Sequence, residues 1–449
     1  MAKDAAVLLG TGSIGRAIIR MVGAGKKFFT LLIIFLLSIA SSYDLREAGR
    51  VSSVKNQGIP GPCWAFAALG AMESNFLTQG LGKAVDLSEM QIAFYCYRDP
   101  ETKRNFTSRI KSGTLRLEGN AFMTVAMMSR LSGPTDEKNL KYSTALSDSE
   151  KKALSKKSPE KFKRSLRLRD AYFLSGNKTV SDSVKKSLIA EHGALLVSIY
   201  SDPEKYRTFN NHHYTYFNNS HGTQTNHDVL LAGWDDDFSR ENFSPKPERN
   251  GAWLVKNSWG TSRGSEGGYF WIPYEQYTTG GTAFIVERNN NRLRHYGYDD
   301  LGFCKSLNYS WCANVFKLSG KKESLKEISF YTVANNTNYE AYIYFHGKNF
   351  PKSPVSGELI STVKGVKNFA GYHTVNLPES FTLNEGEYFS VVLKLSGGLV
   401  PVEAKCKNYS ENAEVKPNES YFSLDGRNWT DGFGLGCNAC VKAFTVSRI

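Results

Sequence analysis

The run Gly58-Ile59-Pro60-Gly61-Pro62 delivers the chain to Cys63, and from there to Gln79 the residues are alanine-rich and apolar, with Gly80 as the stop. A loop this rich in Gly and Pro does not continue a helix, whereas Trp64, Ala68, Met72 and Phe76 recur close to the helical period. The pattern predicts a helix that begins on Cys63 and buries one face. A thiol at a helix N-terminus lies in partial positive charge, which favours the thiolate. That setting suits a nucleophile. Taken alone, a small buried cysteine is the competing structural reading.

Two further segments shift the balance. His227 precedes Asp228-Val229-Leu230-Leu231-Ala232-Gly233-Trp234, which reads as a buried strand starting right after the imidazole. Ala252-Trp253-Leu254-Val255-Lys256 reads as a second strand ending on Asn257. A cysteine nucleophile needs a base within hydrogen-bond reach, and the base needs a third group to orient it. Cys63, His227 and Asn257 supply all three on rigid elements, and a thiolate–imidazolium pair is expected before substrate arrives.

With these residues in hand the chain resembles the papain family of cysteine peptidases. The run from Gln57-Gly58 to Cys63-Trp64-Ala65-Phe66, the Asn226-His227 strand and Asn257-Ser258-Trp259-Gly260 are similar to its three signatures, in the same order, and Leu87-Ser88-Glu89-Met90-Gln91 is a fourth match. The resemblance implies that Gln57 donates its side-chain amide to the oxyanion beside the Cys63 backbone N–H. It implies that Trp259 shields the His227–Asn257 hydrogen bond from water and borders the substrate. Pro60 stands where most members have a disulfide cysteine, which deprives Cys96 of its usual setting, and Arg263 stands where a second Trp is common. The family's long inhibitory propeptide finds no room, so control of activity is left unexplained.

At 449 residues, two domains plus a targeting segment are expected. Lys26-Lys27, the apolar run Phe28 to Ala40 and the small residues around Ala40 follow the order of a secretory signal, with cleavage after Ala40; an uncleaved anchor is the alternative. Beyond Asn289-Asn290-Asn291 the pattern changes to short apolar and aromatic runs separated by Gly, Asn and Pro turns, which suggests a β-sandwich. Gly371-Tyr372-His373-Thr374-Val375, Phe389-Ser390-Val391-Val392 and Ser423 to Trp429 in that region resemble the lectin-like β-domain attached to some bacterial papain-type peptidases.

The expected fold class is therefore α+β: a papain-like two-lobed fold, helical lobe plus β-barrel-like lobe, followed by an all-β sandwich. The expected domains are 1–42 (extension and signal or anchor), 43–288 (peptidase) and 292–449 (lectin-like). The expected function is a secreted, thioester-forming cysteine peptidase, an endopeptidase acting on protein or peptide substrates. Its second domain is expected to meet a carbohydrate or cell-surface ligand. A catalytically silent adhesion protein that keeps the peptidase fold is the alternative.

Other chemistries find less support. Gly10-Thr11-Gly12-Ser13-Ile14-Gly15 has the spacing of a dinucleotide-binding turn, but the rest of a doubly wound sheet is missing, so no nucleotide cofactor is expected. Of seven cysteines, Cys437 and Cys440 form one Cys-x-x-Cys without a matching second pair, and no metal site is expected. Cys304, Cys312, Cys406, Cys437 and Cys440 are disulfide candidates whose pairing the spacing leaves open. The net charge of +13 includes a basic stretch from Lys151 to Asp170 that lacks interleaved aromatics, so it reads as a solvated surface and not a nucleic-acid site.

Overall fold

The computed structural model describes residues 40–58, 61–98, 105–107, 119–144, 149–150, 153–154, 163–174, 180–202, 209–210, 212–218, 220, 222–262 and 266–447. Residues 1–39, with the signal segment and Gly10–Gly15, lie outside these, as do Pro60, Arg263, His221 and much of the basic stretch.

Helix α1 (Cys63–Thr78) begins where the Gly/Pro loop ends, with Pro62 as its N-cap. It is buried on all sides from Trp64 to Phe76, the expected face among them, because it is the central element of the first domain. Its flank is formed by the strands His227–Asp235 and Thr279–Arg288 and by the helices α2 (Glu89–Tyr95) and α3 (Ala121–Ser129). Ser88 caps α2 by accepting from Gln91 N–H, and Asn120 caps α3 through Met123 N–H.

A buried helix carrying Glu73, Ser74 and Asn75 must satisfy them internally. Asn75 donates to the His192 carbonyl at 2.9 Å and accepts from Val286 N–H at 2.8 Å. Ser74 accepts from Ala194 N–H at 2.8 Å. These bonds fasten the helical lobe to the strand lobe. Glu73, 1% exposed, accepts from Lys55 Nζ at 3.2 Å, Leu87 N–H at 2.7 Å and Ser52 Oγ at 2.5 Å. Lys55 also reaches Glu89 at 2.8 Å, and Lys256 Nζ donates to Ser52 at 3.0 Å, so the cluster ties the base of α1 to the strand that carries Asn257.

Among the described residues the strands form sheets of thirteen, six and three. The largest crosses from one domain to the other. Its strand Leu166–Phe173 pairs with Thr279–Arg288 on one side and with Gly371–Asn384 of the second domain on the other, through Gly371↔Tyr172 and Tyr372↔Ala171. Arg167 and Arg169 of that strand are ion-paired with Glu287 in the first domain and Glu327 in the second. The first core accordingly includes Tyr331 and Tyr372. Asn290 to Leu293 form a tight turn, with Leu293 N–H bonded to the Asn290 carbonyl at 3.0 Å.

The second domain packs the six-stranded sheet against the far half of the large one. Ile343, Phe389, Val391 and Leu393 face Leu325, Ile328 and Phe330. Cys304 and Cys406 form the disulfide, across 102 residues; Cys312, Cys437 and Cys440 are free and buried. Cys96 is free as well, its thiol donating to the Met123 carbonyl at 3.2 Å.

Candidate active site

Three elements carry the predicted residues. The first turn of α1 presents Cys63, half-buried. The strand His227–Asp235 opens on His227, and Asn257 follows directly on the strand Ala252–Lys256, paired with it through Leu230↔Lys256. His227 Nε2 and Asn257 Oδ1 are 2.9 Å apart. Asn257 Oδ1 also accepts from Ser258 N–H at 2.8 Å, which fixes that atom as the amide oxygen. Nε2 is then the donor in the neutral ring, and Nδ1 is left bare to take a proton. Trp259 stacks on His227 with centroids 4.8 Å apart and planes inclined by 20°, the cover expected of it.

Gln57 is held on three sides. Its N–H donates to the Ser258 carbonyl at 2.8 Å, its Oε1 accepts from Ser258 Oγ at 2.5 Å, and its carbonyl accepts from Tyr142 Oη at 2.8 Å. Its Nε2 donates to the Gly61 carbonyl at 3.2 Å, and Cys63 N–H reaches that same carbonyl at 3.0 Å. The two expected oxyanion donors thus converge on one carbonyl oxygen. Only glycine fits at position 61, where a Cβ would lie 2.4 Å from the Gln57 carbonyl. Ser258 and Tyr142 were not singled out from the sequence; Ser258 was visible inside the Asn-Ser-Trp-Gly motif, whereas Tyr142 carries no local signal.

Burial governs the titration of the site. It pushes the Cys63 thiol up to about 11, and the nearby Asp228 carboxylate adds to this, against backbone N–H groups of Asp228 and Trp64 that favour the thiolate. It pushes His227 down to about 4, against the Asn257 bond. Burial thus works against the expected resting ion pair, and charge separation relies on the mutual attraction of the two groups and on the helix start.

A two-lobed fold with a half-buried cysteine at the start of its central helix, followed by a β-sandwich, defines the cysteine-peptidase class. The chain belongs to the papain family of cysteine proteases, which matches residues 39–286, and a lectin like domain matches residues 295–445. It is 30% identical over 235 residues to the probable cysteine protease RD19B of Arabidopsis thaliana, covering 52% of this chain and 58% of that protein. A viral cathepsin of Choristoneura fumiferana nuclear polyhedrosis virus is 31% identical over 229 residues, covering 51% of this chain and 57% of the relative. The chain thus spans less than two thirds of these relatives. The clostridial cysteine protease Cwp84 after propeptide cleavage shares the fold, with a TM-score of 0.77 at 24% identity over 91% of this chain and 100% of that one. The structure of the cysteine protease and lectin-like domains of Cwp84, a surface layer associated protein of Clostridium difficile, gives 0.76 at 23% identity, over 91% and 89%.

Proposed function

We propose that this chain hydrolyses peptide bonds in protein or peptide substrates with Cys63 as nucleophile, His227 as general base and acid, Asn257 as the group that orients the imidazole, and Gln57 as oxyanion donor. The observation that carries this reading is the His227–Asn257 bond beneath Trp259, on the element facing the start of α1. Nδ1 of His227 takes the Cys63 proton as sulfur attacks the scissile carbonyl carbon. The tetrahedral oxyanion replaces the Gly61 carbonyl as acceptor for Gln57 Nε2 and Cys63 N–H. Collapse expels the amine, which receives the proton from His227, and leaves a thioester. Water, deprotonated by the same imidazole, then releases the acid and restores the thiol.

The apolar segment ahead of Ala40 supports export. Together with the β-domain, it favours work at or outside the cell surface, as the description of Cwp84 suggests for that protein. The lectin-like domain is proposed to bind a surface or carbohydrate ligand. Cys63→Ala tests the peptidase reading: it should abolish hydrolysis and labelling by a vinyl-sulfone peptide while the fold, followed by circular dichroism, is retained. Wild-type turnover in that variant would remove Cys63 from the mechanism.

A further inference from the structure

The residues proposed to hold the oxyanion sit on a loop with little stiffness of its own. Gly58 and Gly61 lie between Gln57 and Cys63, and Gly58 takes φ +68°, a conformation that glycine adopts freely. Ser258 fixes Gln57 from the strand lobe, through its carbonyl and its Oγ. On the side of the helical lobe stands Tyr142. Its Oη donates to the Gln57 carbonyl at 2.8 Å, and its ring meets the Phe66 ring edge-on, with centroids 4.9 Å apart. Phe66 lies one turn beyond Cys63 on α1. Next to Tyr142, Thr144 closes on Gly58, where a Cβ would lie 2.5 Å from Thr144 Cγ2. A single side chain thus touches both elements that carry the oxyanion donors: the Gln57 peptide through its hydroxyl, and the start of α1 through its ring.

Tyr142 is itself anchored. Its N–H donates to Glu137 Oε1 at 2.6 Å, Glu137 N–H donates to the Asp86 carbonyl at 2.8 Å, and Ser88, the cap of α2, donates to the Leu140 carbonyl. A hydroxyl held in this way resists movement of the loop. We propose that Tyr142 is a positioning residue for the hydrolytic reaction, holding Gln57 Nε2 and the Cys63 N–H at the separation that the tetrahedral oxyanion needs. The inference rests on the peptidase reading above. Tyr142 acts through Gln57 and not on the substrate. Donors stabilise developing charge best when they are in place before it forms, so a loop free to drift costs rate and not affinity.

The test compares the full wild-type chain with Tyr142→Phe, which keeps the ring against Phe66 and removes only the hydroxyl. On a peptide substrate kcat should fall about 10-fold with KM unchanged. Alkylation of Cys63 by iodoacetamide displaces iodide at a saturated carbon and forms no oxyanion, so its rate should stay within about twofold. In a Gln57→Ala background, Tyr142→Phe should lower kcat by no more than about twofold, because the amide that it positions is gone. The assignment is overturned, and the peptidase reading stands, if Tyr142→Phe alone leaves kcat within about twofold, if alkylation falls along with kcat, or if the loss of about 10-fold persists in the Gln57→Ala background. Should Tyr142→Phe not fold, Phe66→Leu takes away the ring that Tyr142 packs against and carries the same comparison. There kcat must fall while alkylation holds, and any other result overturns the assignment. A wild type that is alkylated at Cys63 yet hydrolyses no peptide removes the peptidase reading itself, and the assignment with it.

Discussion

Ser258 Oγ donates to Gln57 Oε1 at 2.5 Å, so the residue next to Asn257 orients the amide that is proposed to hold the oxyanion. One dipeptide, Asn257-Ser258, therefore aligns the base through its first side chain and the oxyanion donor through its second. Gln57→Ala should lower kcat by about 10²-fold with little change in KM, because the donor is aimed at charge that develops only in the transition state. Ser258→Ala leaves the amide in place but free to turn, and should cost about 10-fold, again in kcat. Steady-state kinetics on one neutral peptide decide this; a loss confined to KM would place Gln57 in ground-state binding.

The buried Glu73 cluster joins the two lobes below the site, and its removal should act on stability before chemistry. Glu73→Ala takes one of two buried carboxylates from Lys55, which keeps Glu89, leaves the Leu87 N–H without its acceptor and removes the acceptor of Ser52. Breaking a buried charge pair from one side costs about 3 kcal/mol or more. Chemical denaturation should show that loss. A change below about 0.5 kcal/mol, the range of surface substitutions, would mean that the cluster is open to solvent.

The continuous sheet predicts that the two domains unfold together. Gly371 has φ +148°, and a Cβ there would lie 1.9 Å from the Ala171 carbonyl oxygen, at the junction between the domains. Gly371→Ala should cost on the order of 3 kcal/mol through strain and the lost strand pairing. Gly386→Ala, with φ +81° but open space around the new methyl, should cost about 1 kcal/mol from strain alone. Calorimetry should find a single transition in the wild type. Two separate transitions would contradict a shared sheet.

How far the sequence reveals this architecture depends on how local each signal is. Cys63, His227 and Asn257 each sit at the end of a strongly patterned element, so period and punctuation expose them, and His227 and Asn257 lie within hydrogen-bond distance. Helix α1 starts where the pattern puts it, and the spacing exposes one buried face where the structure encloses all of them. The lobes close around it, and closure is a property of partners far along the chain. The pairing of Gly371 with Tyr172 spans two segments expected to lie in separate domains, and neither carries a local mark of the other. Cys304 and Cys406 were among five candidates, and only the fold separates them from Cys312, Cys437 and Cys440, which the core encloses. The resting ion pair is argued from the helix start and the neighbouring imidazole; the burial of both groups, which works against it, carries no local sequence signal.

Cleavage after Ala40 would leave Ser41 as the first residue, one place ahead of the strand Ser42–Asp44, which pairs with Gly233–Asp235. The Ser41 carbonyl accepts from Asp236 N–H at 2.7 Å, so a new N-terminus there would be anchored and not frayed. The Trp234 indole N–H, which donates to the Ala40 carbonyl at 3.0 Å, would lose that partner. Intact-mass analysis of protein secreted by a suitable host should place the mature start near Ser41. A retained Gly10–Gly15 segment would contradict export by this signal.

Activity against pH should trace a broad bell. Below the acid limb the site carries a thiol and an imidazolium, so there is no base. His227 is held neutral down to about pH 4, so that limb should fall well under the free-imidazole value of about 6.5. Above the alkaline limb a thiolate faces a neutral imidazole, and no acid remains for the leaving amine. Cys63 keeps its proton up to about 11, which carries that limb beyond the free-thiol value of about 8.5. Between the limbs the pair holds one proton, on sulfur or on nitrogen, and both limbs belong to the pair and not to either residue. Asn257 is uncharged, so Asn257→Ala should lower the plateau by about 10-fold, as a misaligned base does, and leave the bell in place. The check is kcat/KM from about pH 3 to 11 for the wild type and Asn257→Ala, with the rate of Cys63 alkylation by a neutral reagent reporting the thiolate over the same range. An acid limb near 6.5 would show His227 to be solvated in the working enzyme, and a profile that merely rises through 8.5 would remove it as the base.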